Sequence, residues 1–231
     1  MSHATCGSRR GAGTRHVTLG DLWKAYGDCS LGTRAHVIVR SILCPVARIA
    51  QVAPPAGRCL DVGCGHGLLA YHLAAGSAAR RILAIDISID KISEATKARY
   101  PVGQVSCRCE AYADVQERDF DLITLVDVLY LLPPAAQLDV LRWCCLSLAP
   151  TGVMLVKEMS DRPRWKFWLN YVEETLAVRV LGITLGQRLY FRPPAECVRD
   201  LSALGFEVDV TRLDRGYLHP HLLFVCRKRP A

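Results

Sequence analysis

The stretch "LDVGCGHG" (residues 60–67) places three glycines at alternate positions directly behind an apolar run and an aspartate. Glycine is costly inside regular structure, and it is favoured where a backbone turns sharply or lies close to a ligand. Residues 58–62 predict a β-strand, and the run from Leu68 to Ala75 predicts a helix. The glycines therefore predict a strand-to-helix turn whose amide groups face a ligand.

Strands and helices alternate along the rest of the chain in the same way. Further strands are predicted at 81–86, 105–109, 120–129 and 152–159, and a closing hairpin at 205–214 and 219–228. Helices are predicted at 88–100, where Ser88 is the N-cap, and from Pro133 to about Leu148. Apolar strands separated by helices indicate a parallel sheet covered on both faces, with its ligands beyond the carboxyl ends of the strands.

Two families of nucleotide-binding turn compete for the glycine-rich stretch. The dinucleotide fingerprint is G-x-G-x-x-G, and Leu68 occupies the position of its third glycine. A dehydrogenase is therefore disfavoured. The stretch instead resembles the first motif of the class I S-adenosylmethionine-dependent methyltransferases, D/E-x-G-x-G-x-G, which Asp61 and the three glycines match position for position.

Three further segments resemble the same family. Asp86 ends the second strand, where the family has an acid that binds the ribose hydroxyls. The segments "CEAYAD" (109–114) and "FDLITLVDVLYLLP" (120–133) resemble its motifs after the third and fourth strands. The resemblance covers residues 55–160 clearly. It implies S-adenosyl-L-methionine as the cofactor and, as cofactor-binding residues, Asp61, Gly63, Cys64, Gly65, Gly67, Asp86, Ile87, Glu110, Ala111, Asp127 and Val128.

Structural roles compete with several of these assignments. Asp61 could order the turn by accepting hydrogen bonds from backbone N–H groups. Asp86 and Asp127 could each cap the helix that follows. Glu110 could be a solvated loop acid. These alternatives stay open at the level of sequence.

The resemblance also implies the fold. We expect a Rossmann-like three-layer α/β/α sandwich whose seven-stranded sheet is mostly parallel, with one antiparallel strand. Residues 1–16 are predicted to be a disordered tail, residues 17–54 an N-terminal helical cap, and residues 55–231 the methyltransferase domain, with a helical insertion at about 160–192. Tyr26 in the cap is either a lid contact or a core aromatic.

The methyl acceptor depends on the region after the fifth strand. Apolar residues recur there at helical spacing, which indicates a helix that packs on the sheet edge or walls a substrate pocket. Seven basic and four acidic residues lie between 160 and 199, so an anionic or carrier-linked substrate is one hypothesis. The proposed substrate-binding residues are Tyr130, Lys157, Arg164 and Trp168.

A proton acceptor is needed if the methyl group goes to oxygen or nitrogen. Glu158, at the carboxyl end of the fifth strand, is the candidate catalytic base, and His219 and His221 are alternatives. No ligand cluster in the sequence suggests a metal, so metal-independent chemistry is expected.

Charge and hydropathy restrict the partners. The net charge is +7, but six of these charges lie in the two termini, at residues 9–15 and 227–229, and the rest of the chain holds 23 basic and 22 acidic residues. This balance argues against a nucleic-acid surface. The uncharged apolar run at residues 143–156 is too short to span a membrane, and no signal peptide is visible, so a cytoplasmic protein is expected.

The sequence thus predicts an S-adenosylmethionine-dependent methyltransferase acting on a small molecule, with lipid- or polyketide-type metabolites favoured. An RNA or protein methyltransferase and a non-catalytic cofactor-binding protein are the alternatives. The oligomeric state is not predicted.

Overall fold

A computed structural model describes residues 16–101, 104–159, 190–217 and 220–229. Most of the predicted tail and of the predicted insertion, including Arg164 and Trp168, lies outside the described residues. The helices are α1 Leu19–Ala25, α2 Leu31–Leu43, α3 Val46–Val52, α4 Leu68–Gly76, α5 Ile89–Ala95, α6 Pro134–Ser147 and α7 Pro194–Ala203. The strands are β1 Gly57–Val62, β2 Arg80–Asp86, β3 Val105–Cys109, β4 Phe120–Val126, β5 Leu148–Met159, β6 Phe206–Arg212 and β7 His221–Lys228.

The seven strands form one sheet in the order β3-β2-β1-β4-β5-β7-β6. β1 pairs in parallel with β2 and β4, and the parallel pairing continues outward to β3 and β5. β7 runs antiparallel to both of its neighbours, β5 and β6. The predicted seven-stranded, mostly parallel sheet with one antiparallel strand is therefore confirmed.

Alternate strand residues enter two separate hydrophobic cores, one on each face of the sheet. Cys59 of β1 packs in the core that contains buried residues of α1, α2, α3 and α4. The next residue, Leu60, packs in the core that contains residues of α6 and α7. This alternation follows from the two-residue period of a strand, and it produces the three layers expected of the fold.

Two elements end earlier than the sequence indicates. β4 ends at Val126 because Asp127 has a φ of 60°, which takes the chain out of the extended conformation. α5 begins after the predicted N-cap Ser88 but ends at Ala95. Arg99 then donates its backbone N–H to Ala25 at the end of α1, at 2.8 Å. This contact is distant in sequence, and helical periodicity carries no signal of it.

The three helices α1–α3 lie ahead of β1, in the segment predicted to be a cap. Tyr26 at the end of α1 is fully buried, and its hydroxyl donates to the backbone oxygen of His66 at 2.9 Å. Tyr26 is therefore a core aromatic that also holds the backbone of the glycine turn. A direct contact of Tyr26 with the cofactor stays a prediction.

Across the described ranges, no single helix has both the length and the apolar composition needed to cross a membrane. α2 and α3 satisfy those two criteria only when joined, as a pair bent by 66°.

Candidate active site

The glycine turn connects β1 to α4 at the carboxyl edge of the sheet. Gly63, Gly65 and Gly67 have positive φ angles of 71°, 57° and 77°, a region that side chains other than glycine rarely adopt. The N–H groups of Gly63 and Cys64 both donate to the backbone oxygen of Ile85, at 2.8 and 2.9 Å. These bonds fix the turn to the neighbouring strand β2.

The three glycines face different surroundings. A Cβ atom on Gly63 would lie 2.6 Å from Cγ2 of Val128, and one on Gly67 would lie 1.9 Å from the hydroxyl of Tyr100. A Cβ atom on Gly65 would have no atom within 4 Å. Packing therefore requires glycine at 63 and 67, whereas Gly65 borders open space that a ligand can occupy.

Asp86, at the end of β2, binds two backbone amides. One carboxylate oxygen accepts from the N–H of Gly65 and the other from the N–H of Ser88, both at 2.9 Å. The Ser88 side chain in turn accepts from Lys91 as the N-cap of α5. Each carboxylate oxygen still has a lone pair for a further donor. Asp86 can therefore hold the turn and at the same time accept hydrogen bonds from hydroxyl groups of a ligand.

Asp61 is a buried carboxylate with one unused oxygen. It is 2% exposed; Oδ1 accepts from the Thr124 hydroxyl at 2.7 Å, and Oδ2 is buried with no hydrogen bond. Burial raises the pKa of Asp61 to about 7, although the Thr124 hydrogen bond opposes the rise. A buried acceptor of this kind is costly unless a donor or a positive charge satisfies it, so it fits a cationic ligand such as S-adenosylmethionine.

The ends of β2 and β3 lie side by side. Glu110 donates its backbone N–H to the backbone oxygen of Asp86 at 3.1 Å, and its carboxylate lies 3.7 Å from the guanidinium of Arg108. Ala111 then precedes a 3₁₀ turn. The side chain of Ile87 is 77% exposed beside Asp86. This edge thus offers an apolar contact next to a carboxylate, although the adenine-side roles of Ile87, Glu110 and Ala111 stay predictions.

Asp127 is bound by two cations. Its Oδ1 lies 2.5 Å from Nζ of Lys157, which is 1% exposed, and its Oδ2 lies 2.8 Å from Nη2 of Arg40 on α2. Burial alone would raise the pKa of Asp127, but the two cations outweigh burial and lower it to about 2. The Lys157 ammonium, predicted to contact substrate, is occupied by Asp127, and both assigned roles stay predictions.

Glu158 faces the opposite side of β5 from Lys157. Its Oε1 accepts from the backbone N–H of Leu129 at 3.2 Å, and it lines a cavity together with Gln137, Tyr190 and others. Burial raises the pKa of Glu158 to about 8, and the negative charge of Asp127 contributes to the rise. A carboxyl group with this pKa changes between its protonated form and its basic, ionised form near pH 8.

Aromatic and histidine side chains surround the same edge. Tyr130 is buried and stacks on Phe191, with ring centroids 5.0 Å apart. His221 Nε2 lies 2.8 Å from the backbone oxygen of Leu43, so it joins β7 to α2. His219 lies outside the described residues. The substrate role of Tyr130 and the choice among the candidate bases stay predictions.

The structure adds three residues that sequence reasoning did not single out. Thr124 bonds Asp61, Arg40 bonds Asp127, and Tyr100 fills the space beneath Gly67. Thr124 lies directly opposite Asp61 because β4 pairs with β1 in that register, and no motif in the sequence indicates this pairing.

Comparison with known proteins shows which family this chain is similar to. A methyltransferase-domain family model matches residues 35–209. The ubiquinone biosynthesis O-methyltransferase of Xylella fastidiosa (strain 9a5c) is 34% identical over 167 residues, which cover 70% of this chain and 65% of that protein. The protein of the same description from Xanthomonas axonopodis pv. citri (strain 306) is 29% identical over 164 residues, 69% of this chain and 66% of that protein. The matches thus span just under two thirds of these relatives.

Structural similarity extends further along the chain. The structure of magnesium protoporphyrin IX methyltransferase from Synechocystis PCC 6803, solved with bound S-adenosylhomocysteine, aligns with a TM-score of 0.62. The alignment covers 90% of this chain and 94% of that one at 21% identity. This likeness concerns the fold, and the family model covers most of the chain. The protein therefore belongs to the methyltransferase-domain family, within the class I S-adenosylmethionine-dependent methyltransferases.

Proposed function

We propose that this protein transfers the methyl group of S-adenosylmethionine to an oxygen atom of a small-molecule acceptor. The observation that carries the proposal is the buried, unbonded oxygen of Asp61, on the strand that leads into the turn where Gly65 borders open space. The same turn is bonded to Asp86, so both carboxylates belong to one edge of the sheet. The names of the curated relatives support an oxygen acceptor.

Each proposed cofactor-binding residue contacts the part of the cofactor that matches its charge or polarity. When bound, the cofactor supplies a methyl group that its sulfonium charge already activates. The carboxylate of Asp61 balances the positive charge of the cofactor, and Asp86 accepts hydrogen bonds from the vicinal hydroxyl groups of the ribose. Ile87 covers an apolar face of the base. The turn holds its backbone in place through the bonds to Ile85, so little reorganisation is needed on binding.

Glu158 is the proposed base. The ionised form of its carboxyl group, whose pKa is about 8, takes the proton from the acceptor hydroxyl as the oxygen is methylated. Orientation of the two reactants and exclusion of water supply the rest of the rate enhancement, and orientation alone can contribute about 7–11 kcal/mol. No step requires a metal ion in this scheme.

The acceptor is proposed to be a lipid- or polyketide-type metabolite, anionic or carrier-linked. Tyr130, Lys157, Arg164 and Trp168 are the proposed contacts. Residues 17–54 would act as the cap, and the insertion at about 160–192 of the 55–231 domain would wall the pocket. The cytoplasm stays the proposed compartment.

Incubation of the protein with methyl-labelled cofactor and an extract of the host tests the acceptor class. We expect label in a solvent-extractable small molecule, and Glu158→Gln should remove that signal. Label that appears in RNA or protein instead would contradict a small-molecule acceptor. Cofactor binding with no transfer to any fraction would indicate a non-catalytic binding protein.

A further inference from the structure

The helix α2 presents apolar side chains to the outside of the fold. Leu31, Val39 and Ile42 are 72%, 53% and 54% exposed, and Ala35 between them is also exposed. Their spacing places all four along one side of the helix. The buried residues of α2, such as Val37, lie on the other side. The outer side of this helix is therefore apolar where a surface helix is normally polar.

The helix α1 extends this apolar surface. Leu19 and Trp23 are 45% and 46% exposed. The guanidinium of Arg34, on α2, lies 3.6 Å from the centre of the Trp23 ring and so joins the two helices. We call the resulting surface the cap face, formed by Leu19, Trp23, Leu31, Ala35, Val39 and Ile42. Single exposed apolar residues are ordinary, but a run of neighbours marks a binding surface.

The charge beside the cap face is mostly positive. Lys24, next to Trp23, is exposed, and Arg34 lies on the Trp23 ring. The two acidic residues of the segment are already bonded within the fold, Asp21 to the backbone N–H of Thr18 and Asp28 to Arg99. Docking of the cap face on its copy in a second molecule would bring Lys24 and Arg34 of the two molecules together. A negatively charged partner with an apolar interior satisfies both the charge and the exposed side chains.

We propose that the cap face binds the surface of a bilayer that contains anionic lipids. α2 has 13 residues, about 20 Å of helix, which is too short to cross a hydrocarbon layer of about 30 Å. It therefore lies in the plane of the interface, where Trp and Leu enter the boundary region and Arg and Lys meet the headgroups.

This placement links the bilayer to the candidate active site. The inner side of α2 carries Arg40, which binds Asp127 at the end of β4. One helix thus contacts the lipid surface on its outer side and the site on its inner side. The benefit to catalysis rests on the proposed function, because it applies to an acceptor dissolved in lipid. Binding to the surface itself does not depend on the proposed function.

Flotation of the full chain with vesicles tests the proposal. The vesicles are phosphatidylcholine alone or phosphatidylcholine with about 30% phosphatidylglycerol. The test variant is the double substitution Val39→Ser/Ile42→Ser. The matched control is Leu146→Ser/Val210→Ser, which removes two side chains exposed by 81% and 45% on α6 and β6. Titration of each protein with S-adenosylhomocysteine checks that its fold is intact.

We expect the wild type and the control variant to bind the anionic vesicles, and the cap-face variant to bind about tenfold more weakly, since affinity scales with buried apolar area. Added salt should weaken wild-type binding. The proposal is overturned if the wild type ignores anionic vesicles, if the cap-face variant binds as well as the wild type, or if that variant only converts a dimer to a monomer. Loss of vesicle binding with ligand affinity retained leaves the proposed function untouched.

Discussion

Replacement of Glu158 by glutamine should lower turnover by about 10²–10⁴-fold, the usual contribution of a general base. Glutamine keeps the shape of the side chain and can still accept the hydrogen bond from Leu129, which Oε1 receives at 3.2 Å. It cannot take up a proton. The affinity for cofactor should stay near that of the wild type, so the effect belongs to the chemical step.

The pH dependence sharpens this test. Because the pKa of Glu158 is raised to about 8, its carboxyl group is largely protonated below that pH and becomes a base above it. Wild-type turnover should therefore rise as the pH passes through about 8, and the glutamine variant should lose that rise. Glu207→Gln, on the exposed side of β6, is the matched control and should behave as the wild type. Full turnover in Glu158→Gln would show that the residue only packs beside the pocket.

Replacement of Lys157 by methionine should lower the free energy of unfolding by about 3–5 kcal/mol, the cost of removing one partner from a buried ion pair. Lys157 is 1% exposed and holds the carboxylate of Asp127 at 2.5 Å. Without it, that buried carboxylate keeps Arg40, whose side chain is 37% exposed, and a weak contact with the Cys44 thiol at 3.8 Å. Urea denaturation of the wild type and the variant gives the difference.

Two further variants distinguish loss of the Lys157–Asp127 ion pair from a general loss of packing. Arg40→Met should cost less than Lys157→Met, because solvent screens the partly exposed partner. Adding Asp127→Asn to Lys157→Met should recover part of the loss, because asparagine removes the buried charge and tolerates the φ of 60° at that position. A Lys157→Met protein as stable as the wild type would contradict a structural role for the pair.

The sequence predicts the parts of this site that depend on local chain geometry. The alternating glycines indicate the turn, Ser88 is the N-cap of α5, and continuous apolar runs give the strands of a parallel sheet. These features are set by residues a few positions apart, or by a period that neighbouring residues share. They fix the fold and bring Asp61 and Asp86 to one edge of the sheet.

The parts that the sequence does not reveal depend on contacts between distant segments. The motif resemblance predicts Asp127 as a cofactor contact, but it does not indicate that the Asp127 carboxylate is bound by Arg40, 87 positions away, and by Lys157, 30 positions away. Lys157, a proposed substrate contact, lies on the face of β5 opposite Glu158 and binds Asp127, and no motif indicates this pairing. No periodicity predicts that Tyr100 lies beneath Gly67. Such pairings are decided by tertiary packing.

Titration calorimetry with S-adenosylhomocysteine tests the central claim most directly, because it asks whether the glycine turn and Asp86 bind the cofactor. The wild type should bind with a dissociation constant in the micromolar range, about −8 kcal/mol, and NAD should give no heat. Asp86→Ala should weaken binding by about 1.5–3 kcal/mol, the range for a hydrogen bond to a charged group. No heat with the wild type, or unchanged affinity in Asp86→Ala, would contradict the account.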